Sequence, residues 1–167
     1  MDLLDNDALV DVGGFPNLMD VYGRFHISSN DALTGITGFA GLSFVWDQFS
    51  IANNTVLQDI SGFPQLGWVA ANGPLSDSSY GLGITGNDAL LDISGFANLS
   101  QVGSSDCIAR GSEILISGND SLQQISGFSG LTNFLAYTEI YEVPIGGIIS
   151  VTNNPSLTEI PGFSNLI

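Results

Sequence analysis

The chain has 167 residues, of which 44% are hydrophobic and only 11% charged, enough for a single domain spanning 1–167 with a sizeable core. Arg24 and Arg110 are its strong bases; set against 17 carboxylates they leave a net charge of −15. A surface this acidic repels nucleic acid and anionic membranes, and it tolerates salt, which fits a saline or extracellular setting.

From the N-terminus, Leu3 occupies a strand position, and Asn6 then opens a unit, NDALVDVGGFPNLMDV, that recurs along the whole chain. The second copy, from Asn30, reads NDALTGITGFAGLSFV; further copies start near Asn54, Asn87, Asn119 and Asn154. With each Asn as place one, Leu holds place four, Val or Ile place seven, Phe place ten and Leu place thirteen. Val holds place sixteen, with Phe134 there in the fifth copy. One inward side chain in three suits neither a helix nor a flat strand, but it does suit a backbone winding around an axis. Before each Asn the period falls to two, as in Phe25-His26-Ile27, Phe49-Ser50-Ile51, Leu82-Gly83-Ile84, Ile114-Leu115-Ile116 and Ile149-Ser150-Val151. That alternation predicts one short strand per coil, paired in parallel from coil to coil. The fold expected is a β solenoid of about six stacked coils, stabilised by nearest-neighbour contacts.

Two further columns read as scaffold. Six stacked Asn side chains can satisfy turn backbone in a hydrogen-bonded ladder. Gly precedes every place-ten Phe, for a positive φ or for close approach of adjacent backbones.

The string L/F-x-I-x-x-N-x-x-L-x-x-I-x-G-F-x-x-L-x-x-V resembles the leucine-rich-repeat-like coils of receptor L domains, above all those of microbial cell-surface proteins. The resemblance covers nearly the whole chain apart from three insertions. It implies a right-handed solenoid that is secreted or displayed at a cell surface and serves binding or adhesion, and it carries no catalytic residues over. Phe in place of the commoner Leu at place ten, and the lack of cysteine-rich caps, depart from the pattern.

The interval between Asn residues lengthens after Asn54, and the additions fall near 70–81, 103–112 and 135–147. Stacking would bring these insertions out on a single edge, where repeat proteins often build binding surfaces. The candidate binding residues there are Asp77, Tyr80, Asp106, Arg110, Tyr137, Glu139, Tyr141 and Glu142, since Tyr and Arg offer contact area with a polar tip.

Two acidic columns and two columns of small residues also repeat. Asp7, Asp31, Asp88 and Asp120 share place two; Asp11, Asp59, Asp92 and Glu159 share place six. Local backbone N–H groups can hold these carboxylates, and Ca²⁺ between coils is the alternative, although no calcium-binding repeat or EF-hand loop is written. No metal site and no cofactor is therefore expected. Thr37, Ser61, Ser94 and Ser126 at place eight, and Ser28, Ala52, Thr85, Ser117 and Thr152 two residues before Asn, would line outward faces, an arrangement compatible with ice binding.

His26 reads as a surface residue, and Cys107, the single cysteine, as a buried or incidental thiol that permits no internal disulfide. No nucleophile elbow or phosphate loop is present, so no catalytic residues are expected. Neither a signal peptide nor a membrane-inserting segment is legible. The chain opens inside one coil and stops inside another, which reads as a fragment of a longer array or an uncapped subunit.

The function expected is non-catalytic recognition or adhesion, with a protein or glycan as ligand. The alternative is a structural subunit joining copies of itself head to tail into a fibre, for which the unfinished first and last coils are complementary.

Overall fold

The alternating segments before each Asn are strands of one parallel sheet in the computed structural model. The structure describes residues 1–69, 81–103, 113–132, 135–138 and 143–166, with the strands at 135–138 and 143–146 described through their backbone. The main sheet runs Asp2–Leu4, Phe25–Ser28, Phe49–Ala52, Leu82–Thr85, Glu113–Ser117, Ile148–Thr152, in chain order. Its register is like on like. Leu3 faces Ile27, Ile27 faces Ile51, Ile51 faces Ile84, Ile84 faces Ile116, and Ile116 faces Val151.

The expectation of one strand per repeat undercounts. Asp20–Val21, Phe44–Val45, Trp68–Val69 and Gln101–Val102 form a second parallel sheet. At places six and seven, Asp11–Val12 pairs with Gly35–Ile36 and Asp92–Ile93 with Gln124–Ile125. Isolated bridges join Gly35 to Asp59 and Gln124 to Glu159. Two residues are enough for such a strand when the neighbouring repeat presents its carbonyls at the same height, and so short a run leaves no alternation to read. Within the third insertion, Leu135–Thr138 and Val143–Gly146 pair antiparallel. Pro161–Phe163 forms one 3-10 turn, and otherwise regular structure among the described residues is β. No helix among them is long and apolar enough to cross a membrane.

The core joins the period-three columns to the inward residues of the main sheet, among them Ile27, Ile51, Ile84 and Ile116. Leu33, Leu57, Leu90 and Leu122 are fully buried, as are Ile36, Ile93, Ile125 and the place-thirteen residues Leu42, Leu66, Leu99 and Leu131. Each such side chain stabilises by about 1.5–3 kcal/mol relative to exposure. Phe15, Phe39, Phe63, Phe96, Phe128 and Phe163 stack in sequence with near-parallel rings and centroids between 5.0 and 5.6 Å apart. Phe25 and Phe49, from the main sheet, meet this column edge-on, the geometry favoured by the ring quadrupole.

Of the two reasons open for the Gly column, close approach is the one observed. A Cβ on Gly95 would lie 2.1 Å from the Ile60 carbonyl oxygen, and one on Gly62 2.5 Å from that of Ile36. Positive φ belongs to a different column, the residue immediately before each Asn: Asp5, Ser29, Asn53, Gly86, Gly118 and Asn153 all lie between 54° and 68°. Gly, Asn and Asp tolerate the left-handed region best, Ser29 adopts it in the same column, and the Asn that follows is buried at Asn30, Asn54, Asn87 and Asn119.

Candidate functional site

Seven of the eight insertion residues proposed from sequence, Asp77, Tyr80, Asp106, Arg110, Glu139, Tyr141 and Glu142, lie outside the described residues, as does Cys107. Tyr137 lies in the strand Leu135–Thr138, with its backbone opposite Pro144. The roots of the insertions can be placed. Val69 and Val102, which lead into the first two, are register partners in the second sheet. The chain re-enters the main sheet at Leu82, Ile114 and Ile149, again in register. The first two insertions thus leave along one row, and the chain returns from all three along another.

The Asn column is fully used by the scaffold. Asn30 donates from its backbone N–H and from Nδ2 to Asn54 Oδ1, both at 3.1 Å. Asn54 donates likewise to Asn87 at 3.1 and 3.2 Å, Asn87 to Asn119 at 3.0 and 3.4 Å, and Asn119 to Asn154 at 3.0 and 3.1 Å. Each Nδ2 also reaches a strand carbonyl of the preceding repeat, as Asn54 does to Ile27 O at 3.2 Å and Asn87 to Ile51 O at 3.0 Å. Buried amides tied in this way order the turn.

The place-six carboxylates are held by neighbouring donors. Asp59 Oδ1 accepts the Ser61 N–H at 2.7 Å, and Asp92 accepts both the Ser126 N–H at 3.2 Å and its hydroxyl at 2.7 Å. Among the described residues no three potential metal ligands converge. Some of the hydroxyls expected on an outward face are engaged or covered. Thr37 donates to Asp11 at 3.5 Å, Ser126 is taken by Asp92, and Ser28 and Ala52 are 8% exposed. The outward expectation is corrected at those last two positions: alternation sets the side of the sheet a residue occupies and leaves open whether that side meets water.

His26 is half-buried and faces Asp2 and Ser50 in the sheet. Burial lowers its imidazole below the ordinary value of 6.5; Arg24 adds to the shift and Asp2 opposes it. Arg24 donates to both oxygens of Asp2, at 2.9 and 3.0 Å, and this hydrogen bonding holds the Asp2 carboxyl below its usual range.

Sequence reasoning passed over the outer face of the second sheet. Places fifteen and seventeen flank the buried Val of place sixteen and therefore point outward together. Place fifteen carries Asp20, Phe44, Trp68 and Gln101, in cross-strand register. Place seventeen carries Tyr22, 83% exposed, and Trp46, 46% exposed. The Phe44 ring makes edge contacts with Trp46 at 5.5 Å and Trp68 at 5.1 Å. Trp68 Nε1 donates to Gly103 O at 3.0 Å, which fixes the indole while its ring stays accessible. Tyr22, Trp46 and Trp68 are thus exposed around the half-buried Phe44, and a cluster of exposed apolar rings of this kind is a candidate interaction site. The signal lay in the triplets DVY, FVW and WVA, which set an aromatic on one or both sides of the core Val. Comparison with protein-family models, curated proteins and solved structures gives no match to this chain.

Proposed function

We propose that the chain is a right-handed leucine-rich-repeat-like solenoid, secreted or displayed at a cell surface, that recognises a protein or glycan without catalysis. The supporting observation is the aromatic face of exposed Tyr22, Trp46 and Trp68 around the half-buried Phe44. Aromatic side chains are enriched at binding surfaces because they offer large area for little conformational entropy. This face borders the row at Val69 and Val102 from which the first two insertions depart. The like-on-like register and the stacked Phe column support the solenoid reading.

A panel of extracellular proteins and glycans tests this proposal, probed with the chain and with a Trp46→Ala/Trp68→Ala variant of equal helicity and strand content by circular dichroism. Discrete ligands retained by the chain and lost by the variant are expected. A panel in which nothing distinguishes the two proteins would overturn the reading.

A further inference from the structure

Charge narrows the kind of ligand the aromatic face would take, an inference that rests on the recognition reading above. Among the described residues of its two rows, the charged side chain is acidic. The rings of Tyr22, Trp46 and Trp68 are exposed, and an aromatic ring is electron-rich over its face. The Asp20 carboxylate, exposed, stands one strand from Phe44 in direct register. Of the chain's two strong bases, Arg24 is paired with Asp2, and the molecule as a whole carries −15. The Trp68 N–H, which could otherwise bond an acceptor on a ligand, is taken by Gly103 O, so what this exposed indole has left to offer a ligand is its apolar ring. A cation over an aromatic face is attracted by the quadrupole, and a nearby carboxylate adds to that attraction.

We propose that the face formed by Tyr22, Phe44, Trp46 and Trp68, with Asp20 at its edge, docks a basic peptide segment whose Lys or Arg side chains lie across the rings. The acidic field gathers the peptide, and the rings supply the short-range selectivity that distinguishes it from any diffuse counterion. A neutral oligosaccharide would use the ring faces but gain nothing from the charge.

The molecule carries its own reporter, because both of its tryptophans lie in this face. Intrinsic fluorescence of the full chain is titrated with an octapeptide of alternating Arg and Ser, with its Glu-Ser counterpart, and with a neutral chito- or cello-hexaose. Trp46→Ala and Trp68→Ala each keep one indole for the readout, and Trp68→Leu, which keeps apolar bulk without a ring, serves if Trp68→Ala fails to fold. The expected result is a saturable response to the Arg peptide alone, weakened about three- to tenfold by either Ala variant and less by Asp20→Asn, and weakened further by added salt. Equal affinity for the Arg peptide in the chain and the Ala variants overturns the proposal, since binding would then be diffuse attraction to net charge. A response to the hexaose that salt does not change overturns it in favour of a glycan platform, and the recognition reading stands. Silence toward all three probes, with ligands still found on the wider panel, likewise overturns the cationic ligand alone, whereas an empty panel overturns both.

Discussion

Gly95 and Gly14 occupy the same place in two repeats and differ in what lies beside them. A methyl group on Gly95 would collide with the Ile60 carbonyl oxygen, whereas nothing lies within 4 Å of one on Gly14. Gly95→Ala should therefore cost about 1–3 kcal/mol through overpacking, while Gly14→Ala should be neutral or stabilise by up to about 1 kcal/mol through the unfolded chain. Urea unfolding of the two variants measures the contrast, and equal losses would refute it. His26 gives a second test. Its folded-state value lies below 6.5, so as the pH falls the unfolded chain takes up the proton first. Stability present above about pH 7 should decline as the pH drops through that value, and should level off once the folded imidazole is charged too. The difference between the melting curves of the wild-type chain and His26→Gln isolates this term from the many carboxylates. Residues repeated without variation, the place-one Asn and place-ten Phe, could be read from sequence because every repeat spells them alike. The left-handed residue before each Asn could not, since Asp5, Ser29, Asn53 and Gly86 reach one backbone conformation with four side chains.

Between elements, the amide ladder couples each repeat to the next. Asn54→Ala would strand the donors of Asn30 and the carbonyls of Ile27 and Ala52 inside the turn. Its expected cost is about 3 kcal/mol, against about 1 kcal/mol or less for Asn6→Ala, whose side chain is exposed and reaches Asn30 from one side. Chemical denaturation of both variants would falsify the ladder as a stabilising element if the two losses were alike. The main-sheet strands were legible because alternation is an intrinsic pattern. The two-residue strands at places six to seven and fifteen to sixteen arise from the neighbouring repeat's carbonyls, and no single repeat encodes them. The aromatic face was missed for a related reason: places fifteen and seventeen change identity from repeat to repeat, so Asp20, Phe44, Trp68 and Gln101 look like noise until the register aligns them.

At the scale of the whole molecule, charge dominates the response to solvent. With −15 on 167 residues, self-repulsion should weaken the folded state at low ionic strength. The melting temperature is expected to rise between about 0.01 and 1 M sodium chloride, as the screening length falls from roughly 30 to 3 Å. A flat or falling curve would show that the carboxylates are locally compensated, as Asp59 and Asp92 already are. The position and length of the insertions were legible from the widening Asn intervals, but their contents follow no column and so offered no periodicity to interpret. The register has one more consequence. Ser29 and Asn53 share a backbone conformation, and each leads into an Asn that bonds the same way to its successor. Splicing out residues 30–53 would join Ser29 directly to Asn54, seat Phe15 on Phe63, and rejoin the amide chain without a gap. Such a shortened protein should still fold, with a lower urea midpoint, making the molecule a ruler that can be cut at its graduations.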